Sequence, residues 1–296
     1  MSRHHYVPQF LLRRWGSGDV SGKFVSYHYE EGARRVIENS KSNIASACQI
    51  KNLNTFFGVK SSDRDFPETR YFTPRVDTPA AVAHRVILDK GVRALTPPQR
   101  TDWARLVISF GVRTPETLRK MGPQEVVKAF DLLEATSRGP LEGEKKVSKI
   151  IQANLEGFKR NFPLSIAMEL IADPHKLAAV EGMTWWIRRW PRDCMLIGDS
   201  PLLAAPRARY PCGIPLDSPD CSIVLPIAPD AVFFASASLK TKDKVRKMAP
   251  SRIARIVNEE MIWRSSRVYF SDTSLGSFVE PRIIGKVKGT WQPSKL

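Results

Sequence analysis

The sequence predicts an α+β fold in which a mixed or antiparallel sheet, built from N- and C-terminal strands, packs with a central helical segment. Strand-like runs are concentrated in residues 1–75 and 183–296, whereas residues 76–182 carry apolar residues at helical spacing. Strands and helices are therefore segregated along the chain, which argues against a βαβ array. The sequence shows no internal repeat or long low-complexity linker, so we expect a single composite domain over residues 1–296.

The N-terminal part is predicted to be strand and loop. The runs "KFVSYHY" and "RRVIE", separated by "EEGA", are typical of a β-hairpin. From position 76 onwards, Thr-Pro pairs mark helix starts, with the threonine as the cap and the proline at the first helical position. We expect one helix from Thr78–Pro79 to Gly91 and a second from Thr96–Pro97. The second carries a buried apolar stripe formed by Trp103, Leu106, Val107 and Phe110.

A third Thr-Pro pair, Thr114–Pro115, places Arg113 at a junction between two helices. Further helical patterns cover 124–136 and 144–171, the latter interrupted at Pro163. The C-terminal part returns to strands at "MTWWIRRW", "CMLIG", "SIVLPI" and "AVFFAS", followed by a helix over 250–263 and a last strand at "RVYFS".

Charge points to a polyanionic partner, with nucleic acid the first to consider. The net charge is +16, and residues 237–296 alone hold 13 Lys and Arg against 5 Asp and Glu. Such a field raises the local concentration of polyanions, although excess charge also serves solubility alone. No secretion signal or membrane-spanning run is present, and the four cysteines lack zinc-site spacing. We therefore expect free thiols, a cytoplasmic protein and no membrane partner.

Several motifs occur in an order that resembles a known family. They are "HHYVPQFLLRRW", "RTPETLRK", "MLIGDSPLL", "VLPIAPDAVFFAS" and "IVNEEMIWRSSRVYFS". Together they resemble the bacterial domain of unknown function 4238 over residues 4–271. The family usually has Asn where this chain has Ser200, whereas Asp199 and Pro201 fit its pattern. The resemblance implies that these segments belong to one fold, but it does not indicate which substrate the protein has.

The opening motif contains two candidate catalytic residues, His4 and His5. The segment before Pro8 should be extended, so the two histidines point in opposite directions and only one faces a site. Pro8 is predicted at the first position of a short helix whose N-terminus suits a phosphate. In the alternative, Phe10, Leu11 and Trp15 simply anchor the N-terminus.

Three further candidates complete the predicted site. Asp199, in a turn after an apolar strand, orients a histidine, holds a metal or accepts backbone N–H groups of its own turn. Arg113 either clamps a phosphate or carboxylate bidentately or forms an ion pair. Asn258, in the middle of a helix, bonds within the core, for example to the "GDSP" turn, or touches a ligand.

Two functions follow from these residues. In the first, a nuclease-like hydrolase uses His4 or His5 as acid and base, Asp199 to orient it and Arg113 to bind phosphate. In the second, a non-enzymatic nucleic-acid-binding or interaction module, part of a defence or mobile-element system, has a purely structural N-terminal motif. P-loop, dinucleotide-binding, nucleophile-elbow and zincin motifs are absent, and the sequence singles out no cofactor or metal.

Overall fold

The computed structural model describes residues 3–16, 23–30, 35–43, 49–51, 67–114, 117, 155–205, 214–216, 218–270 and 273–294. The helix predicted over 124–136, the beginning of the one over 144–171 and the helix start at Pro115 lie outside the described residues. So do Cys48 and Cys212, whereas Cys194 and Cys221 are free thiols. No helix in the described ranges has both the length and the apolar character needed to cross a membrane.

The first four-stranded sheet joins the two ends of the chain. Strands β2 (Lys23–Glu30) and β3 (Arg35–Asn43) form the predicted hairpin. Strand β10 (Arg267–Phe270) pairs with β2 on one side and with β6 (Ile197–Gly198) on the other. The order β3-β2-β10-β6 is antiparallel throughout, which confirms a sheet built from N- and C-terminal strands.

The second four-stranded sheet contains only C-terminal strands. Its order is β5 (Thr184–Arg189), β9 (Ala231–Ser236), β8 (Ser222–Ala228) and β7 (Leu203–Ala205), again antiparallel. Every residue of β8 and β9 is buried, which explains their continuous apolar sequences. A small third sheet pairs β1 (Arg3–His5) with β4 (Gln49–Lys51).

The central helical segment follows its capping signals in part. Helix α1 (Gln9–Leu12) precedes it near the N-terminus, and helix α2 (Thr78–Lys90) ends at Gly91, whose φ of 82° suits glycine. Helix α3 (Pro97–Val112) begins with a capping box between Thr96 and Gln99. Thr78 is not a cap, however, because an unpredicted π-helix over Pro67–Asp77 runs directly into α2.

The remaining helices were predicted unevenly. Helix α4 (Leu155–Ala172) continues through position 163, where an interruption was predicted, because its C-terminal half packs against α3. It is followed by α5 (Pro174–Gly182). Helix α7 (Pro250–Arg264) confirms the predicted helix at 250–263, whereas α6 (Leu239–Lys247) and α8 (Gly276–Lys288) were missed.

A continuous core connects the N-terminal segment, α2, α3 and both large sheets. The side chains of Val7, Leu11, Leu12 and Trp15 have no exposed surface. The predicted α3 stripe is buried as well, because all four of its residues are at most 2% exposed. The segment from Val7 to Trp15 is therefore part of the folded body.

Candidate functional site

The side chain of Gln9 fixes the environment of His5. Arg13 Nη2 donates to Gln9 Oε1 over 3.3 Å, which orients the amide so that Gln9 Nε2 donates to His5 Nε2 over 3.2 Å. An accepting Nε2 requires the neutral imidazole. The backbone of His4 pairs with Ile50 between β1 and β4, and the side chain of His4 lies outside the described residues.

Helix α1 differs from its prediction. Pro8 is extended, with φ −60° and ψ 140°, and stands before the first helical residue rather than at it. The helix has only four residues, so it aligns few peptide dipoles. The phosphate-binding helix N-terminus predicted here therefore has little physical basis.

Trp15 anchors the N-terminal motif to the segment that precedes β6. Its indole Nε1 donates to the buried carbonyl of Met195 over 2.8 Å. The same segment is held from another side, because the amides of Cys194 and Met195 both donate to Pro229 O over 2.9 Å. The opening motif thus contributes directly to the placement of residues 194–196.

Asn258 holds this segment from helix α7. Its Nδ2 donates to Cys194 O over 2.7 Å, and its Oδ1 accepts from the amide of Leu196 over 3.0 Å. Asn258 is 4% exposed. These bonds explain a polar residue in the middle of this helix. The partners are not in the predicted "GDSP" turn, because they lie three to five residues before its aspartate. Both ends of the amide are engaged by protein backbone.

Asp199 fixes the connection between α7 and β10. Its Oδ1 accepts from the amide of Ser266 over 2.9 Å and its Oδ2 from the amide of Arg267 over 3.2 Å. Burial raises the pKa of Asp199 to about 6, against the lowering effect of these two bonds and of the charges of Lys286 and Arg267. The carboxylate bonds a neighbouring turn rather than its own.

The same turn contains contacts that the sequence did not reveal. Lys286 Nζ donates to Ile262 O over 3.1 Å and to Ser265 O over 2.7 Å, which satisfies the C-terminal carbonyls of α7. The amide of Ser200 donates to Ser265 Oγ over 3.4 Å. Gly198 lies so close that an added Cβ would overlap the Ser265 side chain. Lys286 is 21 and 24 positions from its partners, and Ser265 is at least 65 positions from Ser200 and Gly198, so no local pattern links them.

Arg113 lies at the C-terminal end of α3, at the predicted junction. Its Nη1 is 2.8 Å from Asp77 Oδ1, at the end of the π-helix, and the Arg113 side chain is 2% exposed. Burial raises the pKa of Asp77, opposed by the charge and hydrogen bond of Arg113. Asp77 was not predicted, because nothing local pairs residues 36 positions apart.

His84, which lacks a sequence motif, is a structural histidine. Its Nε2 donates to Ile227 O over 2.8 Å, and its ring stacks on Trp103 at 5.8 Å between centroids. The ring of Phe10, from the opening motif, is tilted against the His84 ring with 5.5 Å between the centroids. Burial lowers the pKa of His84 to about 4, so it is neutral at physiological pH.

Comparison with known proteins places the chain in a family. The family model described as "Protein of unknown function (DUF4238)" matches residues 3–274. The chain belongs to this family. No curated protein and no solved structure matches it. The matched range contains every predicted site residue and the whole N-terminal anchor.

The predicted site residues of this DUF4238 protein fall into separate groups. Asp199 and Asn258 fix neighbouring backbone segments between α7 and β6, whereas Arg113 pairs with the end of the π-helix. In the described part of the chain, no hydrogen bond or ion pair joins Arg113 to Asp199 or Asn258. The described residues also contain no group of three or more His, Cys, Asp and Glu side chains arranged to hold a metal ion.

A second candidate site of the DUF4238 protein is a cationic surface on α6 and α7. Residues 239–255 contain seven Lys and Arg and one acidic residue, Asp243. We call its exposed cations the basic face: Lys240, Lys244, Arg246, Lys247, Arg252 and Arg255. None of them forms an ion pair with a described residue. The charge of this region was predicted from the sequence, but helix α6, which displays four of the six cations, was not.

Proposed function

We propose that this DUF4238 protein binds nucleic acid through the basic face of α6 and α7. The observation that carries the proposal is the set of six exposed cations without carboxylate partners among the described residues. Lys and Arg side chains that neutralise phosphates release counterions, and this release supplies most of the affinity for a nucleic-acid backbone.

The two helices are held rigidly, which favours a preformed surface. Arg188 in β5 donates to Val245 O over 3.0 Å and to Met248 O over 3.1 Å, at the end of α6. Trp190 Nε1 donates to Pro250 O, the first residue of α7, over 3.1 Å. Cations on a fixed scaffold need not be ordered when the nucleic acid binds, which lowers the entropic cost of binding.

Helix stability does not account for all of these charges. Lys244 and Lys247 lie in the last turn of α6, where cations are favourable to the helix dipole. Arg252, however, lies in the first turn of α7, which contains no acidic residue and where the dipole disfavours a cation. An anionic partner at this end of α7 would compensate for both the charge and the dipole.

Binding is tested by fluorescence anisotropy with labelled single-stranded DNA, duplex DNA and RNA of about 20 nucleotides, over a series of salt concentrations. We expect log K to fall linearly with log salt. Replacing Lys244, Lys247, Arg252 and Arg255 with Gln should weaken binding at least tenfold and reduce the slope by up to about 4.

A matched variant separates the basic face from bulk charge. Arg70, Arg85, Lys90 and Arg93 are exposed cations elsewhere on the protein, and their replacement with Gln removes the same net charge. This variant should keep the wild-type slope. Equal losses in the two variants, or no measurable binding by the wild type, would contradict the proposal.

A nuclease-like hydrolase is the second candidate, favoured by the pKa of about 6 at Asp199, a value suited to acid–base chemistry. In this candidate His4 or His5 acts as acid and base, Asp199 orients it and Arg113 binds phosphate. The test follows the size of RNA and DNA over time with wild type and a folded His4→Ala, His5→Ala variant. Cleavage lost in the variant supports the hydrolase; intact nucleic acid in both supports binding alone, and unchanged cleavage in the variant excludes these histidines.

A further inference from the structure

Among the described residues, a hydrogen-bond partner is found for only one nitrogen of the Arg113 guanidinium. Nη1 bonds to Asp77 Oδ1 at 2.8 Å. Nε and Nη2 are buried and have no hydrogen-bond partner in the part of the chain that the structure describes. A buried donor without an acceptor destabilises the folded state, and a charged donor does so more strongly, so these two N–H groups call for an acceptor.

The unused atoms lie on one edge of the guanidinium plane. Nε–H and one N–H of Nη2 point the same way, and their spacing matches two oxygens of a carboxylate or a phosphate. Aromatic rings are packed near the group, with Phe110 at 5.0 Å and Phe72 at 5.6 Å from the guanidinium carbon. Apolar rings cannot satisfy the two donors, which leaves this edge for a polar ligand.

Among the described residues, one carboxylate forms an ion pair with this cation. Asp77 is the described carboxylate paired with Arg113, and burial raises its pKa despite that pairing. Thr114 follows Arg113 directly in the chain, and its buried hydroxyl bonds to the hydroxyl of Thr117 at 2.8 Å. Neither hydroxyl accepts a hydrogen bond from Nε or Nη2 of Arg113.

We propose that the Nε–Nη2 edge of Arg113 binds one small oxyanion, a phosphate or a carboxylate group, between the end of α3 and the π-helix. The π-helix supplies Phe72 and Asp77 to this site, and π-helical geometry recurs at functional sites. The site is separate from the basic face, because it lies at the end of α3, whereas the basic face lies on α6 and α7. A single small anion is the ligand that fits this burial.

The test measures thermal unfolding of the whole chain in sodium phosphate and in sodium acetate, each against sodium chloride at equal ionic strength. A ligand that binds only the folded state raises the midpoint by mass action. We expect phosphate or acetate to raise the wild-type midpoint by about 3 °C or more. The anion that does so identifies the group as a phosphate or a carboxylate.

Two variants test whether the anion raises the unfolding midpoint through the Nε–Nη2 edge of Arg113. Arg113→Lys keeps a cation near Asp77 but lacks the Nε–Nη2 edge, so the anion effect should disappear. Arg105→Lys is the matched control, because Arg105 lies on the same helix and pairs with Asp102 at 2.9 Å through one nitrogen. It should respond as wild type does.

If Arg113→Lys fails to fold, Asp77→Asn decides the question. This variant keeps the Nε–Nη2 edge of Arg113 and removes the competing carboxylate. The anion should therefore raise its unfolding midpoint at least as much as it raises that of the wild type. Three results would overturn the proposal: no anion response in wild type, an equal response in Arg113→Lys, or loss of the response in Asp77→Asn.

Discussion

Gly198 is required by a close approach of two chain segments. A Cβ at this position would lie 2.7 Å from the Cβ of Ser265 and would overlap its hydroxyl. Gly198→Ala should therefore lower the free energy of unfolding by about 1–3 kcal/mol through overpacking, measured by urea denaturation. Gly182→Ala is the control, because an added Cβ there has no atom within 4 Å. Equal stability of the two variants would contradict the placement of Ser265.

Asn258 needs both a donor and an acceptor. Asn258→Asp keeps an acceptor for the amide of Leu196 but, when ionised, faces Cys194 O with a second oxygen. We expect a loss of roughly 3 kcal/mol at pH 7, since a buried charge meets an unpaired carbonyl. The loss should shrink at pH 5, where protonation restores a donor. An equal loss of unfolding free energy at both pH values would show that the missing hydrogen bond to Cys194 O does not cause the loss.

The N-terminal segment is anchored by a specific hydrogen bond as well as by apolar burial. Trp15→Phe keeps most of the ring but removes the donor to Met195 O, which is buried. The expected loss in unfolding free energy is about 1–3 kcal/mol. Trp186→Phe is the control, because this half-buried indole stacks on Phe234 and forms no hydrogen bond with a described residue. A loss no larger than in this control would mean that the N-terminal segment is held by apolar packing and not by this hydrogen bond.

Elements with strong local signals were predictable, and those with conflicting signals were not. The capping box at Thr96 and the apolar stripe that follows it determine α3 from local sequence. Helix α8 was missed because it contains Gly276, Pro281 and Gly285, which oppose helix formation locally. It forms because Val279 and Ile283 are buried in the core. The π-helix has no simple sequence periodicity and was missed for that reason.

The candidate site was harder to predict than the fold, because its contacts join distant parts of the chain. Asp199, Arg113 and Asn258 were predicted as site residues, and each makes a buried or half-buried polar contact. Their partners are 36 to 68 residues away. The choice of residue type was informative, since polar residues in apolar surroundings need partners. Which partner each one has depends on the packing of the whole chain.

Two buried groups give the whole protein opposite responses to pH. Burial lowers the pKa of His84 to about 4 from 6.5, so stability is lost as pH falls from 6.5 to 4, when the unfolded chain binds the proton. Burial raises the pKa of Asp199 to about 6 from 3.8, so stability is lost as pH rises from 3.8 to 6. Over the shared range these effects oppose each other, and the wild-type pH profile should be shallow.

Replacing either group with a residue that does not titrate should reveal the pH dependence of stability that the other group causes. His84→Gln keeps a donor for Ile227 O without titrating, so between pH 7 and 5 this variant should gain about 2 kcal/mol relative to wild type. Asp199→Asn should lose about 1 kcal/mol relative to wild type over the same interval. Urea unfolding at both pH values measures these differences. Parallel profiles for His84→Gln and wild type would mean that His84 titrates as it does in the unfolded chain, which its burial against Trp103 opposes.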